Sequence, residues 1–208
     1  MIVGITGGIG SGKSAIAYEL VRRGYTVYDC DREAKRIIAE NKDVQAAIMD
    51  LLGKEAFTLD SRLSALRYNT SYVAQRVFAE PKLLQALNAI VHPEVVKDIQ
   101  VKQENRTKYG YFFIESAILF EAGLDQLCVR VFIIDAPEEV RIRRVLCRDY
   151  NGEATEENIN KVRARIRNQE PIALSQAGNK KATVIINDGN ESLSYLADQL
   201  VGWGIPQY

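Results

Sequence analysis

The chain alternates between two patterns of hydrophobic residues: short continuous runs, and residues spaced three or four apart. A short apolar run bounded by glycine or polar residues predicts a buried strand, whereas the wider spacing predicts a helix with one face in the core. The predicted strands are residues 1–6, 26–28, 111–114, 129–134 and 183–186. The predicted helices outside the central region are residues 13–23, 137–148, 155–168 and 192–203. Strands that alternate with helices predict an α/β fold with a parallel sheet.

Residues 31–105 depart from this alternation because their apolar residues keep helical spacing over almost the whole stretch. Pro81 and Pro93 stand at positions where new helices can begin. We therefore expect a helical lobe at about 31–105, inserted in a single domain that spans residues 1–208. A chain of this length can bury one sizeable core.

Composition and charge narrow the classes of partner. Hydrophobic residues make up 47% of the 208 residues and charged residues 26%, an ordinary balance for a soluble globular protein. The 27 basic and 27 acidic residues cancel, and no apolar run is long enough to span a bilayer. We therefore expect neither nucleic acid nor a membrane as partner. Three cysteines without CxxC spacing argue against a disulfide framework or a zinc site, and favour the reducing cytoplasm.

Residues 7–14 carry the strongest motif in the chain. They read Gly-Gly-Ile-Gly-Ser-Gly-Lys-Ser and match the GxxxxGK[ST] pattern between a predicted strand and a predicted helix. Glycines let several backbone N–H groups approach phosphate oxygens, and the helix N-terminus adds unpaired N–H groups. We expect Lys13 to reach the β- and γ-phosphates of ATP and the Ser14 hydroxyl to bind Mg²⁺. The predicted nucleotide-binding residues of this segment are Gly8, Ile9, Gly10, Ser11, Gly12, Lys13, Ser14 and Ala15.

A phosphate-binding loop leaves three classes of function open: a small-molecule kinase, a GTP-dependent switch, and a motor or assembly ATPase. A GTP switch usually carries an Asn-Lys-x-Asp segment that reads guanine, and residues 41–43 and 179–182 both miss this spacing. The chain is also short for a motor domain. A kinase needs an acidic base near the phosphates and cationic groups that close over them, and the sequence offers both.

Two carboxylates, Asp29 and Asp31, follow the second predicted strand. They should lie at the carboxyl edge of the sheet, where ligands bind in open α/β folds, and could accept a hydroxyl proton or orient a metal ion. The competing interpretation is that Asp31 caps the next helix and Asp29 is a solvated turn residue. Glu115, which ends the third predicted strand, could hold Mg²⁺ through water or only cap the following loop.

Arginines crowd the predicted helix that precedes residues 149–153. Arg141, Arg144 and Arg148 recur at helical spacing on one face. The polar, glycine-containing residues 149–153 are suited to a mobile lid, so we expect a lid region at about 141–168. The competing interpretation is a basic face that is wholly solvated.

Motifs along nearly the whole chain resemble those of the dephospho-CoA kinase family. Residues 5–14 look like its opening signature, and Tyr-Asp-Cys-Asp at 28–31 resembles its Asp-Ala-Asp element. Arg144 and Arg148 match the Arg-x-x-x-Arg of its lid. Further similar segments are residues 87–93, 118–121, 165–169 and 184–187. The chain departs from the family pattern at Cys30, Ala117, Arg141 and Thr183.

The resemblance implies a P-loop kinase fold, with a five-stranded parallel sheet flanked by helices, a CoA-binding helical lobe and a lid. It implies transfer of the γ-phosphoryl group of ATP, with Mg²⁺, to the ribose 3′-hydroxyl of dephospho-CoA. By position in the motifs, Asp31 resembles the catalytic base, Lys13 and Arg144 are further catalytic candidates, and Arg148 and Asn187 are expected to bind the nucleotide. We expect a monomer or weak homo-oligomer. The alternative is another small-molecule or nucleoside kinase with the same loop.

Overall fold

The computed structural model describes residues 1–60, 65–105, 110–168 and 179–202. The chain forms two compact units, which we call the core unit and the lobe. The core unit combines Met1–Asp29 with Lys108–Tyr208, and the lobe is Cys30–Thr107. In the described part of the chain, no helix combines the length and the apolar content that a membrane crossing requires.

The two units differ in their secondary structure. The core unit opens with β1 (Ile2–Thr6), α1 (Lys13–Arg22) and β2 (Thr26–Asp29). The lobe contains α2 (Cys30–Glu40), α3 (Lys42–Leu52), β3 (Phe57–Asp60), β4 (Ala65–Tyr68), α4 (Thr70–Ala79) and α5 (Pro81–Glu104). The core unit resumes with β5 (Phe112–Glu115), β6 (Arg130–Asp135), α6 (Glu138–Asp149), α7 (Glu156–Arg167), β7 (Ala182–Ile186) and α8 (Leu193–Gly202). The predicted end of the last helix at Trp203, and Gln169 in the segment 165–169, lie outside the described residues.

The core unit is built on one sheet with the strand order β2-β5-β1-β6-β7. Ile5 of the central strand pairs with Glu115 of β5 on one side and with Phe132 of β6 on the other. All neighbouring strands in this sheet are parallel, which confirms the predicted five-stranded α/β fold. Because the strands are parallel, their carboxyl ends meet at one edge, where ligands bind in such sheets.

Strand β1 is buried along its whole length. A parallel strand covered on both faces needs a nearly continuous apolar run, and Ile-Val-Gly-Ile-Thr supplies one. Ile5 of this strand belongs to the same buried cluster as Ile16 and Leu20 of α1 and Leu196 of α8. Since α1 is anchored through this face, its N-terminus is fixed beside the end of β1.

Helix α5 runs through Pro93, so the predicted start of a new helix at that residue is wrong. Pro81 does occupy the start of the helix, as predicted. An internal proline removes one backbone hydrogen bond and is unfavourable in isolation. The buried face of α5 nevertheless continues on both sides of it, through Leu87, Val91, Val95 and Ile99. This face packs against α2, α3 and α4, and its burial outweighs the local loss.

The lobe is not wholly helical, because β3 and β4 form an antiparallel two-stranded sheet in which Phe57 pairs with Tyr68. The expectation of helical structure is therefore wrong for these two strands. Strand β3 shows no alternation, since Phe57 is buried but both Thr58 and Leu59 are exposed. A four-residue strand without alternation cannot be distinguished from a helical turn by its spacing.

An ion-pair network in the lobe centres on the buried carboxylate of Glu33 in α2. Arg36 Nε and Lys102 Nζ donate to Glu33 Oε2 at 2.7 and 2.6 Å. Burial alone would raise the pKa of Glu33, but the hydrogen bonds from Lys102 and Arg36 outweigh burial and lower that pKa from 4.5 to about 2. Because the folded pKa lies below the unfolded one, the network stabilises the protein above pH 4.5. This stabilisation is lost as the pH falls from 4.5 towards 2.

We expect Glu33→Gln to weaken this dependence of stability on pH. A pKa unit corresponds to about 1.4 kcal/mol, and partial exposure of Arg36 and Lys102 screens the network, so its effect should be about 1–2 kcal/mol. The measurement is the free energy of unfolding in urea near pH 6 and near pH 3. Glu40→Gln, which removes an exposed partner of Arg36, is the control. An equal loss on acidification in wild type and Glu33→Gln would show that this network does not set the dependence.

Candidate active site

Glycines shape the loop between β1 and α1. Gly10 and Gly12 have φ angles of 77° and 92°, in the left-handed region that favours glycine. A Cβ on Gly10 would lie 2.7 Å from the backbone oxygen of Arg141, and a Cβ on Gly12 would collide with the Asn187 amide. Gly12 is also the N-cap of α1, so the unpaired N–H groups of the first helical turn adjoin the loop. Such a helix start binds anions.

A cavity of about 220 Å³ lies beside this loop. It is lined by Gly8, Gly10 and Gly12, by Lys13, Ser14 and Ala15 at the start of α1, and by Arg144, Val145 and Arg148 of α6. The structure thus brings most of the predicted phosphate-binding residues together with two of the predicted arginines. A cavity lined by cationic side chains and by the start of a helix with its backbone N–H groups can hold a polyphosphate.

Ser11 and Asn187 are both buried where the loop meets the end of β7. Asn187 Nδ2 donates to the Ser11 carbonyl oxygen at 2.9 Å. Arg144 Nη1 donates to the carbonyl oxygens of Ser11 and Asn187 at 3.1 and 3.0 Å, and its Nη2 donates to Asn187 Oδ1 at 3.0 Å. Arg144 and Asn187 therefore hold the loop backbone from the side of its carbonyl groups. No pattern in the sequence indicates these contacts.

Two arginines of α6 contact the loop and are not merely solvated. Arg141 Nε donates to the carbonyl oxygen of Ile9 at 2.8 Å. Arg144 is half-buried, and its burial, followed by the positive charge of Arg143, lowers its pKa from the usual value. A guanidinium keeps its charge at physiological pH despite such a shift. The interpretation of this face as wholly solvated is therefore wrong for Arg141 and Arg144.

The third arginine of this face, Arg148, is held by its neighbour Asp149. Arg148 Nε donates to Asp149 Oδ1 at 2.7 Å and its Nη2 donates to Oδ2 at 3.2 Å. Arg165 of α7 donates to the same Oδ2 at 2.7 Å. Hydrogen bonds from Arg148 and then from Arg165 hold the pKa of Asp149 well below its usual range. Asp149 was not a predicted site residue. Its place at the C-terminal end of a helix, where the dipole disfavours an acid, could have indicated that it has a specific role.

Helices α6 and α7 form a helical hairpin with a small apolar cluster between them. The cluster consists of Ile142, Val145, Leu146, Val162 and Ile166. Ile9 of the loop packs against it, so this predicted nucleotide-binding residue touches the hairpin. The turn between the helices contains Asn151 and Gly152 at φ angles of 50° and 84°. The hairpin, which covers most of the predicted lid region, is thus packed against the loop through Ile9.

The candidate metal ligands lie at the ends of neighbouring strands. Glu115, the last residue of β5, is buried, and its Oε1 accepts a hydrogen bond of 2.9 Å from Ser14 Oγ. Asp29, the last residue of β2, pairs in register with Glu115. Mg²⁺ prefers oxygen ligands and is commonly bound by one or two carboxylates together with substrate phosphates. The residues present therefore fit a nucleotide-bound Mg²⁺.

Asp31 lies in the first turn of α2, two residues beyond the end of β2. The helix begins at Cys30, so Asp31 lies within it and the residue that precedes the helix is Asp29. The interpretation of Asp31 as the helix cap is therefore wrong. Asp31 is exposed, and Asp29 is half-buried.

Fold and site together define the class of protein. A central parallel strand leads through a glycine loop into a helix that starts with Lys13 and Ser14, and arginines line the cavity beside the loop. This arrangement is that of a P-loop kinase. The family model described as CoaE, dephospho-CoA kinase, matches residues 1–193, and the chain belongs to the dephospho-CoA kinase family.

A curated relative of this family and two solved structures are similar to the chain. A dephospho-CoA kinase from Salinibacter ruber is 36% identical over 189 residues, which cover 90% of this chain and 88% of the relative. A Thermus thermophilus crystal structure matches with a TM-score of 0.77 at 30% identity, covering 99% of this chain and 98% of that one. A Campylobacter jejuni dephospho-CoA kinase matches in fold, with a TM-score of 0.61 at 21% identity over 97% and 95% of the two chains.

The activity expected from the motifs is thereby confirmed. The protein is an ATP-dependent kinase that phosphorylates the ribose 3′-hydroxyl of dephospho-CoA to give coenzyme A and ADP, the last step of coenzyme A biosynthesis. The comparisons therefore do not favour the alternative of a nucleoside kinase or another small-molecule kinase.

Proposed function

We propose that ATP binds with its phosphates in the cavity beside the loop, and that Ser14 and Glu115 hold Mg²⁺ against them. The observation that carries this proposal is the hydrogen bond of 2.9 Å from Ser14 Oγ to Glu115 Oε1. It places the hydroxyl of the loop motif beside a buried carboxylate at the carboxyl edge of the sheet. When bound, Mg²⁺ neutralises charge on the β- and γ-phosphates. Asp29 is the second candidate for the metal because it pairs in register with Glu115.

In this proposal the cationic side chains act on the phosphates of ATP, and Asn187 supports the loop that binds them. Lys13, at the start of α1, neutralises charge on the bridging and γ-oxygens as the phosphoryl group leaves ADP. Arg144 and Arg148 act from α6, because they line the same cavity. Asn187 serves nucleotide binding through the loop, since its amide holds the Ser11 carbonyl.

We assign the proton acceptor to Asp31. The 3′-hydroxyl oxygen of dephospho-CoA attacks the γ-phosphorus, the bond from that phosphorus to the ADP oxygen breaks, and Asp31 accepts the hydroxyl proton. A positioned carboxylate can perform this step, although the loose transition state means that much of its effect is orientation. The support for Asp31 is its place in the Asp-Cys-Asp segment, two residues past the end of β2.

We propose the remaining roles as follows. The lobe binds the acceptor, dephospho-CoA, and the hairpin of α6 and α7 acts as the lid. The protein works in the cytoplasm as a monomer or weak homo-oligomer. The exposed free thiol of Cys147 fits a reducing compartment, and the equal numbers of basic and acidic residues fit a small-molecule substrate better than nucleic acid.

The role of Glu115 in metal binding can be tested with Glu115→Gln. Glutamine keeps the shape and can still accept the hydrogen bond from Ser14, but it removes the charge that supports Mg²⁺. We expect the Mg²⁺ concentration for half-maximal activity to rise about 10-fold or more, in the range found for groups that support a metal ligand. Asp135→Asn is the control, because Asp135 ends β6 at the same edge of the sheet. An unchanged Mg²⁺ requirement in Glu115→Gln would remove Glu115 from the metal site.

A further inference from the structure

The contact between Arg148 and Asp149 is not one that helix geometry imposes. Consecutive side chains on a helix point about 100° apart and do not normally face each other. Here the two residues meet at the end of α6, where Arg148 makes a two-point contact with the carboxylate, at 2.7 and 3.2 Å. Arg165 of α7 adds a third hydrogen bond to the same group. A carboxylate at the C-terminus of a helix is disfavoured by the dipole, so a compensating role for Asp149 is expected.

The geometry of the guanidinium decides what this contact can do. A guanidinium is a rigid planar fork with donors on more than one edge. The carboxylate of Asp149 takes the edge formed by Nε and Nη2, and among the described residues none accepts a hydrogen bond from Nη1, which can therefore meet another acceptor. Arg148 also lines the cavity beside the loop. The contact with Asp149 is therefore compatible with a simultaneous contact between Arg148 and a phosphate.

We propose that Asp149 is a positioning residue for the kinase reaction, which holds one edge of the Arg148 guanidinium so that its other end meets the phosphates of ATP. This inference rests on the proposed binding of ATP in that cavity. The side chain of Arg148 is 60% exposed and would otherwise sample many rotamers. Asp149 restricts them before ATP arrives, and Arg165 keeps the carboxylate itself in place from α7.

The expected size of the effect follows from the loss of that restriction. Ordering one long side chain on binding weakens affinity by about 2- to 10-fold. We expect Asp149→Asn to raise the KM for ATP by about this factor, and Arg148→Ala to raise it by at least as much. The KM for dephospho-CoA should change less than the KM for ATP. Because ion pairs at a surface contribute little to stability, the Tm of Asp149→Asn should stay close to wild type.

A matched control separates positioning from simple tethering of the two helices. Arg163 of α7 donates to Glu138, the first residue of α6, at 3.3 Å. Glu138→Gln breaks this second ion pair of the hairpin at the opposite end of α6 from Asp149. If Asp149 acts through Arg148, the KM for ATP should be unchanged in Glu138→Gln. A rise equal to that in Asp149→Asn would mean that holding the helices together is what matters, and would overturn the proposal.

The deciding experiment is a double-mutant cycle on the KM for ATP. If Asp149 works through Arg148, adding Asp149→Asn to Arg148→Ala should change the KM by less than about 2-fold, since contacting residues are not additive. Fully additive effects would overturn the positioning role while leaving the role of Arg148 intact. An unchanged KM in Arg148→Ala alone would overturn the proposed phosphate contact of Arg148, and the role of Asp149 with it. Asp149→Glu, which keeps the charge, should recover part of the loss.

Discussion

Replacing Lys13 by alanine is expected to lower kcat by about 10²-fold or more, on the scale of removing one preorganised charge-stabilising group. Lys13 lines the cavity at the start of α1, beside the loop glycines. Negative charge grows on the bridging oxygen as the phosphoryl group departs, so the ammonium group stabilises the transition state more than it stabilises bound ATP. The loss should therefore fall on kcat more heavily than on the KM for ATP.

The fold should survive this change. A lysine at the N-terminus of a helix opposes the helix dipole, so its removal costs the helix nothing electrostatically. Arg22→Ala is the matched control, since it removes a cation from the far end of the same helix, where the side chain is 65% exposed. Steady-state kinetics and a thermal melt of both variants provide the measurement. A Lys13→Ala enzyme with wild-type kcat would contradict the assignment of the cavity as the phosphate site.

Asp31→Asn should lower kcat by about 10²-fold or more, within the range for loss of a general base. Asparagine keeps the size of the side chain but cannot accept the proton of the ribose hydroxyl. The Kd for ATP should barely change because the loop and Lys13 are intact. Asp29→Asn should reduce kcat less and show its effect in the Mg²⁺ dependence, because Asp29 pairs in register with Glu115.

Stability measurements separate this role from a structural one, because only a structural role would make Asp31→Asn lose more stability than a control substitution in the first turn of another helix. Asp31 lies in the first turn of α2, where an acid is favoured by the dipole, so its replacement costs about 0.3–1 kcal/mol whatever its role. Asp43→Asn, in the first turn of α3, makes the same kind of change in the same unit and is the control. If Asp29→Asn is the more damaging change to kcat while Asp31→Asn stays active, the two roles are reversed.

The parts of the fold that were predictable from sequence are those with local signals. The apolar run of β1, the glycine motif and the start of α1 are contiguous. Each can be predicted from its own residues, without knowledge of the rest of the chain. The pairing of β3 with β4 was missed because each strand has four residues and β3 lacks alternation. The prediction at Pro93 was wrong for the opposite reason. Proline is a local signal for a helix boundary, but burial of one face along α5 outweighs it.

The site divides in the same way. Residues of the loop could be predicted from the motif, but their partners depend on contacts between distant segments. Ser14 meets Glu115 across 101 residues, and only the register of the sheet places them together. Arg144 holds the loop through Ser11, a contact over 133 residues that no spacing along α6 reveals. The shared carboxylate of Asp149 likewise depends on how α7 packs against α6.

The most direct test of the central claim is turnover with alternative acceptors. The purified protein, ATP and Mg²⁺ are mixed with dephospho-CoA, adenosine, shikimate or gluconate, and ADP release is followed while mass spectrometry and ³¹P NMR identify the product. We predict rapid turnover with dephospho-CoA alone, and a product that carries one new phosphoryl group on the ribose 3′-oxygen. No turnover with dephospho-CoA, or equal turnover with adenosine, would contradict the claim.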